Sequence, residues 1–533
     1  MLAPYKWFVR TEAVDYPTTM VLTHIVFTSI PAWGHTRPLC ILAARLVKEN
    51  KNVVVSLVQA PMLYDKAQAE ISAELWDDDH AAETRDRIRM ISAFDMKSNS
   101  DIHDIMQRTA LAYSAACETL LAGSAITCAS TGTVFDAVPP PSLFIIDFVA
   151  SGQFQITKAM VGDKVPIIIS IAGHAASMIG IFGPEVLGGP GDLTSKSEAE
   201  AARLGITYEE FGDRLYRETK GAVVKLPGVP EMFDYEMFPQ QLPWKDLRSQ
   251  VLRDVYKCLK SSNGVILASS HAWEGEAIDA MRSWFSDWGK VAYPLGPLLP
   301  SNFGSSVLED SREEETKHFL DSMLARFGEN STILISLGSV YWPTDTEYLD
   351  EIINALIEKN FPFILSHASP FAKISQDLGE KIKSSGHGML TPWCPQQMVL
   401  NHSATGWLLT HCGHSSVTEA LASGVPMIAW PFEADQPATA SQLESLNLAI
   451  ELLEVRSSEH ALKPLWRNGR GAKGTCQAVG VEIRNVIDAC REAQGKELRK
   501  NAMAMKEKLN TAWKGSGPAR MSFNDFVNTY VSQ

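Results

Sequence analysis

The stretch of sequence that decides the fold is residues 393–436, WCPQQMVLNHSATGWLLTHCGHSSVTEALASGVPMIAWPFEADQ. Within it, Gly406–Thr410 is a short apolar run typical of a buried strand, and residues 411–413 (His-Cys-Gly) form a turn. Residues 415–422 then read as a helix, which we expect the serine hydroxyls to cap. Because a strand that runs into a helix N-terminus presents unpaired N–H groups and the positive end of the helix dipole, this segment predicts an anion-binding α/β unit.

The same alternation of strand and helix continues on both sides of this unit. Apolar runs predict strands at 24–30, 52–58, 142–147, 165–171, 264–269, 331–337, 363–366, 388–390, 406–410 and 427–430. Helical spacing appears at 37–48, after a turn at 31–35, and at 345–359, 480–512 and 522–531. This rhythm predicts the α/β fold class, with two doubly wound, Rossmann-like domains that face each other across a cleft and bind ligands at the carboxyl ends of both sheets.

The length of 533 residues suits two large domains. Residues 294–315 are rich in Pro, Gly and Ser and then turn acidic, which is typical of a linker. The sequence predicts an N-terminal extension at 1–22, a domain at 23–298, a linker at 299–315, a second domain at 316–515 and a C-terminal segment at 516–533. We expect that last segment to form a helix packed back on the first domain.

Composition and charge exclude several classes of protein. The net charge of -14 argues against a nucleic-acid partner, and the eight cysteines lack C-x-x-C pairs, which favours reduced thiols. The N-terminus lacks the pattern of a signal peptide, so we expect a cytoplasmic protein. The most apolar run, 165–182, contains His174 and two glycines, so we expect no integral membrane span. The sequence leaves the oligomeric state open.

Several side chains around the predicted helix tip could hold parts of a nucleotide sugar. His411, Ser415 and Ser416 could add hydrogen-bond donors for a diphosphate, as could the amides around Ser339 at the end of another strand. The alternatives are a helix cap for the two serines and an ordinary loop residue for Ser339. Gly413, the last residue of the turn, is a further candidate for binding the nucleotide sugar.

The remaining candidates suit the nucleoside and the sugar. Trp393 could stack on a base, or be a core residue instead. Glu419, one turn into the helix, could accept hydrogen bonds from ribose hydroxyls, or be a solvated surface residue. Asp435 and Gln436 follow the next strand, where both could bind sugar hydroxyls.

Together these positions resemble the plant secondary product glycosyltransferase box, the donor-binding signature of the family 1 UDP-glycosyltransferases. The segment has the 44-residue length of that box. The matching positions are Trp393, Pro395, Gln396, Leu400, His402, Gly406, Thr410, His411, Cys412, Gly413, Ser416, Glu419, Gly424, Val425, Pro426, Pro431, Asp435 and Gln436.

The resemblance implies a GT-B fold whose second domain binds a UDP-sugar and whose first domain binds the acceptor. It places Trp393 on uracil, Gln396 and Glu419 on ribose, His411, Ser416 and Ser339 on the diphosphate, and Asp435 and Gln436 on the sugar. It implies UDP-glucose as the donor substrate, since Gln436 closes the box as in glucose-using relatives, and it implies no cofactor and no metal. The chain departs from the family at His414-Ser415, where plant members have Trp-Asn, which leaves the hexose open.

A catalytic base is also recognisable. His35 lies at the carboxyl end of the first predicted strand, and Asp147 ends the strand SLFIID. If the two strands are neighbours, the carboxylate can orient the imidazole, which would then deprotonate an acceptor hydroxyl. A structural turn histidine is the alternative. The resemblance covers this pair too, through the G-H-x-x-P pattern at residues 34–38 and an Asp after the mid-domain strand.

The predicted function is therefore an inverting UDP-glycosyltransferase that transfers a hexose to a hydroxyl of a lipophilic small molecule. The alternative is a GT-B epimerase or a non-catalytic binder of a nucleotide sugar. The cysteines and histidines of residues 394–414 lack the paired spacing of a zinc site. Phenolic, terpenoid, sterol and lipid alcohols all remain open as acceptors.

Overall fold

The computed structural model describes residues 22–95, 102–211, 214–242, 248–304 and 311–532. All but the last residue of the predicted N-terminal extension, and residues 305–310 of the predicted linker, lie outside these ranges. The described chain forms two parallel sheets with helices on their faces, as the sequence predicted.

The first half of the chain builds a seven-stranded sheet and two small antiparallel hairpins. Its strands are β1 (Thr23–Thr28), β2 (Val53–Gln59), β3 (Ile88–Ser92), β4 (Ile126–Thr127), β5 (Val134–Phe135), β6 (Leu143–Asp147), β7 (Ile167–Ile171), β8 (Val223–Val224), β9 (Met232–Phe233), β10 (Gly264–Leu267) and β11 (Val291–Pro294). The sheet order is β11-β10-β7-β6-β1-β2-β3 with every pairing parallel, while β4 pairs with β5 and β8 with β9. We call this sheet and its helices the N-terminal lobe.

Eleven helices are described in this half of the chain. They are α1 (Trp33–Glu49), α2 (Tyr64–Glu74), α3 (Ala81–Asp86), α4 (Ile102–Leu121), α5 (Ser151–Val161), α6 (Ala175–Phe182), α7 (Leu193–Leu204), α8 (Tyr208–Phe211), α9 (Arg214–Arg217), α10 (Arg248–Ser261) and α11 (His271–Asp287). Short 3-10 turns cover Pro61–Leu63, Glu185–Leu187 and Asp234–Met237.

The second half builds a six-stranded parallel sheet in the order β14-β13-β12-β15-β16-β17. Its strands are β12 (Thr332–Ser336), β13 (Phe363–Ser366), β14 (Gly388–Thr391), β15 (Thr405–Thr410), β16 (Met427–Ala429) and β17 (Ala449–Glu451). Its helices are α12 (Ser311–Phe327), α13 (Thr346–Glu358), α14 (Gln376–Ser385), α15 (Gln396–Asn401), α16 (His414–Ser423), α17 (Gln436–Ser445), α18 (Cys476–Arg491) and α19 (Ala493–Thr511), followed by α20 (Pro518–Tyr530). This sheet with α12 to α19 is the C-terminal lobe.

The central strands are buried along their whole length because both faces of each sheet are covered. Every residue of β1, β6, β7 and β15 is buried. Continuous Val, Ile and Leu runs of this kind are what a parallel sheet between two helix layers requires.

The C-terminal helix α20 lies against the N-terminal lobe. Phe523 and Phe526 are fully buried in the same apolar cluster as Tyr293 of β11. The Trp513 indole N–H, just before α20, donates to the carbonyl of Pro297 at 2.8 Å. The end of the chain therefore fastens the two lobes together.

Two details of the sequence prediction are wrong. Residues 480–512 are not one helix, because α18 ends at Arg491 and the backbone of the next residue, Glu492, is extended (φ -99°, ψ -163°). Helix α19 then starts against α18, and a Cβ on Gly495 would come within 2.2 Å of the Cys490 carbonyl. Residues 31–35 are not all a turn either, since α1 begins at Trp33 and takes His35 into its first turn.

Within the described ranges, no helix combines the length and the apolar composition that crossing a bilayer would require. The apolar run at 165–182 is divided between strand β7 and the short helix α6, with His174 as the N-cap between them.

Candidate active site

The first half of the site is a histidine–aspartate pair at the carboxyl edge of the N-terminal lobe. Strands β1 and β6 are direct neighbours, with Thr28 opposite Ile146, so the residues that follow them meet at one edge. The His35 Nδ1 lies 2.9 Å from Asp147 Oδ1. The other carboxylate oxygen accepts from the Ile30 backbone N–H at 3.4 Å. Since a carboxylate can only accept, Nδ1 carries the proton and Nε2 is left to receive one.

The surroundings of His35 keep it basic and partly open. The side chain is 25% exposed, against 1% for Asp147. One face of the imidazole stacks on Phe148, with ring centroids 5.4 Å apart. Burial lowers the pKa of His35, but the charge of Asp147, its hydrogen bond and the charge of Asp435 together raise that pKa above the ordinary 6.5. The pair therefore has the geometry and charge of a general base with an orienting carboxylate.

The second half of the site is the turn between β15 and α16. Gly413 is the N-cap of α16, and no side chain caps the helix. The expected capping by serine hydroxyls is therefore wrong: the helix starts one residue earlier, which places Ser415 and Ser416 inside its first turn. Cys412 (φ 67°) and Ala434 (φ 61°) both adopt the left-handed conformation. Non-glycine residues rarely do so, and such strain concentrates at functional sites.

His411 is held between two glycines. A Cβ on Gly413 would lie 2.3 Å from His411 Nε2, and one on Gly338, which has φ 82°, would lie 2.7 Å from it. Burial lowers the pKa of His411 to about 4, against a hydrogen bond with the Ser336 backbone. His411 is therefore neutral at pH 7. Ser339, the residue after Gly338, is exposed in the loop that follows β12.

Two residues predicted for the nucleoside lie at the start of α15 and just before it. The Trp393 indole is 37% exposed, and Lys66 Nζ from the N-terminal lobe lies 5.9 Å from its ring centroid. The Gln396 side-chain amide donates to Ser416 Oγ at 3.1 Å and to Glu419 Oε2 at 2.5 Å. The structure thus brings Gln396, Ser416 and Glu419 into one hydrogen-bonded group.

Glu419 is buried, not solvated, and its other oxygen is bound by the opposite lobe. Arg37 of α1 donates through Nη1 to Glu419 Oε1 and through Nε to Glu70 Oε1, the latter at 2.8 Å. Sequence reasoning missed Arg37, Glu70 and Lys66. The signal was available only for Arg37, as a charged residue in the first turns of a largely buried helix, two positions after His35.

Asp435 and Gln436 follow β16, as predicted, but both already contact protein groups. Gln436 is buried, and its side-chain oxygen accepts from the Phe432 backbone N–H at 2.9 Å. The Asp435 carbonyl accepts from the Ser177 hydroxyl at 3.3 Å, and a Cβ on Gly173 would lie 3.7 Å from Asp435 Oδ2. Burial raises the pKa of Asp435, against the opposing effect of His174.

At the position where the chain departs from the plant pattern, His414 packs against the N-terminal lobe. Its ring stacks on Trp273 with centroids 5.8 Å apart, and burial lowers its pKa despite the nearby charge of Glu274. Next to it, Ser415 Oγ would lie 3.8 Å from a Cβ on Gly34. The first turns of α1 and α16 are therefore in close contact across the cleft.

No arrangement of three or more His, Cys, Asp or Glu side chains suited to a metal ion occurs in the part of the chain that the structure describes. Of the five residues considered for zinc, which are Cys394, His402, His411, Cys412 and His414, all but His402 are buried.

Comparison with known proteins identifies relatives of this chain. The family model described as UDP-glucoronosyl and UDP-glucosyl transferase matches residues 279–466. UDP-glycosyltransferase eriJ of Hericium erinaceus is 29% identical over 514 residues, which cover 94% of this chain and 97% of that protein.

Two solved structures share the fold over the whole chain. One is a ugt transferase from Siraitia grosvenorii in complex with UDP, with 19% identity and a TM-score of 0.65 over 96% of this chain and 100% of that chain. The other is Phytolacca americana UGT2 complexed with UDP-2fluoro-glucose and pterostilbene, with 19% identity and a TM-score of 0.62 over the same shares. The chain is similar to the family 1 UDP-glycosyltransferases over nearly its whole length, and it shares the GT-B fold of those enzymes.

Proposed function

We propose that this enzyme transfers glucose from UDP-glucose to a hydroxyl of a lipophilic small molecule, with inversion at the anomeric carbon and His35 as the general base. The observation that carries the proposal is the 2.9 Å contact between His35 Nδ1 and Asp147, which leaves Nε2 unprotonated at a partly open position. The charge of Asp435, the residue assigned to the sugar, also acts on His35, which supports the nearness of base and donor.

The reaction is a single displacement. His35 Nε2 takes the proton of the acceptor hydroxyl as the oxygen forms its bond to the anomeric carbon. The bond between that carbon and the diphosphate oxygen breaks on the opposite face, and UDP leaves with the electron pair. Asp147 stabilises the imidazolium, which later gives its proton to solvent. A positioned base of this kind contributes about 10²–10⁴-fold to the rate.

The C-terminal lobe is assigned to the donor. The free N–H groups at the start of α16, the neutral ring of His411 and the hydroxyls of Ser415, Ser416 and Ser339 would stabilise the negative diphosphate as it departs. Trp393 would stack on uracil, and Gln396 with Glu419 would bind the ribose. Asp435 and Gln436 would bind the hexose hydroxyls.

Glucose and a lipophilic acceptor are supported by three observations. Gln436 ends residues 393–436, which we call the donor segment, as in glucose-using relatives. The Phytolacca americana relative was solved with UDP-2fluoro-glucose and pterostilbene. The stacking of Phe148 on His35 puts an apolar ring beside the base, where a flat or apolar acceptor would lie.

The test is incubation with UDP-glucose and a panel of phenolic, terpenoid, sterol and lipid alcohols. We expect the mass gain of one hexose on at least one acceptor. The proton NMR coupling at the anomeric centre should show a β-glucoside formed from the α-linked donor. A protein that binds UDP-glucose but returns it unchanged, or releases an epimerised nucleotide sugar, would refute the proposal. A retained α linkage would refute the displacement.

A further inference from the structure

The buried arginine of α1 contacts the residue assigned to the ribose. Arg37 lies two positions after His35 and is buried, as are Glu70 and Glu419. Its Nε donates to Glu70 of the same lobe, and its Nη1 donates to Glu419 of the opposite lobe. One guanidinium therefore joins α1, α2 and α16, which carry the base on one side of the cleft and the donor-binding helix tip on the other.

This contact fixes the orientation of the Glu419 carboxylate. Arg37 binds Oε1, and the Gln396 amide binds Oε2 at 2.5 Å. A carboxylate oxygen can accept more than one hydrogen bond, so Glu419 still has capacity for two O–H donors. Without Arg37, the buried Glu419 would lose its charge partner. Its carboxylate would then no longer be held ionised in one orientation.

One nitrogen of the Arg37 guanidinium makes no hydrogen bond to the described residues. This nitrogen, Nη2, is buried. A ribose hydroxyl donates one hydrogen bond and accepts another, so a 2′,3′-diol could donate to Glu419 while it accepts from a guanidinium. Glu419 can accept further hydrogen bonds and Arg37 can donate one. Together they therefore suit a vicinal diol.

We propose that Arg37 is a positioning residue for nucleotide binding: it holds Glu419 for the ribose diol and thereby links donor binding to the lobe that carries His35. This inference rests on the proposed function, because it takes the nucleotide of a UDP-sugar as the ligand. A lysine could not replace the arginine, since one ammonium group does not present two separate N–H edges to two carboxylates.

The chain supplies a matched control on the same helix. Arg45 is also buried and also pairs with a glutamate, through Nε and Nη2 to Glu74 at 2.9 and 3.0 Å. Its further contacts are the Leu299 carbonyl and the Trp513 ring, not the donor segment. Loss of Arg45 therefore removes a comparable buried ion pair without touching Glu419.

The experiment measures the binding of UDP and of 2′,3′-dideoxy-UDP by calorimetry, with a thermal melt of each variant. Because a charge-assisted contact is lost, Arg37→Gln should weaken UDP binding by at least about tenfold. The same variant should change dideoxy-UDP binding by less than about twofold, since that nucleotide has no diol to lose. Arg37→Lys should remain weakened toward UDP, and Arg45→Gln should leave both affinities near those of the wild type.

A double-mutant cycle with Glu419→Gln completes the test. In the Glu419→Gln variant, adding Arg37→Gln should weaken UDP binding by less than about a further twofold, because the two residues act as a unit. Equal losses for both nucleotides, full recovery with lysine, an equal effect of Arg45→Gln, or additive losses in the cycle would each overturn the role of Arg37. A wild-type protein that does not bind UDP would overturn the proposed function as well, so the two failures are distinguishable.

Discussion

His35 and His411 lie on opposite sides of the same cleft, yet their surroundings change their basicity in opposite directions. His35 contacts a carboxylate at 2.9 Å and its pKa is raised above the ordinary value. His411 is buried between two glycines, without a carboxylate among its contacts, and its pKa is lowered to about 4. The difference shows that the residue type alone does not set the role: one histidine is suited to take a proton, and the other to remain a neutral donor.

The largest expected effect comes from removing His35, the histidine of the two whose pKa is raised. His35→Ala should lower kcat by about 10³-fold, because no other group takes up the acceptor proton. Binding of UDP should stay near the wild-type value. The measurement is the rate of glucoside formation by mass spectrometry, with calorimetry for UDP.

His271→Ala is the matched control for that variant. His271 is 24% exposed, belongs to the same lobe and also contacts an aspartate, Asp279, at 3.5 Å. Its loss should leave kcat within a few-fold of the wild type. If His35→Ala retains more than about a tenth of the activity, the assignment of the base is wrong.

The His411 ring can be moved by a substitution at a neighbouring glycine, so that His411 itself is kept. In Gly413→Ala, the new Cβ would lie 2.3 Å from His411 Nε2, so the ring must move. Because a preorganised donor at the leaving group is lost, kcat should fall by about 10²-fold. Gly275→Ala in helix α11 is the control, since a Cβ there meets nothing within 4 Å. Equal activities of the two variants would show that the position of His411 does not matter.

The opposite pKa shifts predict the shape of the pH profile. His35 must be neutral to act, so kcat/KM should fall about tenfold per unit as the pH drops below its pKa. That pKa lies above 6.5, and it should move down in Asp147→Asn because the carboxylate charge that raises it is removed. His411, with its pKa at about 4, should add no inflection in the neutral range. If the inflection stays at the same pH in Asp147→Asn, His35 is not the group whose titration shapes the pH profile.

The smallest expected effect lies at the edge of the donor segment. Trp393→Ala should weaken UDP binding about fivefold, since stacking of a base on an aromatic ring contributes about 1–3 kcal/mol and this ring is partly exposed. Trp76, 58% exposed in the N-terminal lobe, provides the control, and Trp76→Ala should leave the affinity unchanged. Calorimetry with UDP measures both. An equal affinity of the two variants would remove Trp393 from the nucleoside site.

The sequence predicted the interior of both sheets and missed three of their four edge strands. The undetected strands of the large sheets are β3, β11 and β17, and each lies at a sheet edge. Their sequences, IRMIS, VAYP and AIE, are short or carry a charge. An edge strand is covered less completely, so it needs less continuous apolar sequence and gives a weaker signal.

The donor segment was predictable because its parts are consecutive. The strand, the His-Cys-Gly turn and the helix at 414–423 follow one another directly along the chain, so apolar patterning and residue spacing describe their order. The contacts of Glu419 were not predictable: the sequence suggested a ribose ligand or a solvated side chain, and it gave no sign of the ion pair with Arg37, 382 positions away.

By itself, the sequence determined the α/β class, the two parallel sheets, the place of Asp147 at the end of a strand and that of His35 shortly after another strand. Apolar periodicity and turn residues act over a few neighbours, so they are readable in the sequence. Tertiary structure decided that β1 and β6 pair directly, which brings two residues 112 positions apart to 2.9 Å. It also decided which charges meet across the cleft and which histidine is basic. Burial and Coulomb interactions depend on distance in space, and the order of residues along a chain does not specify that distance.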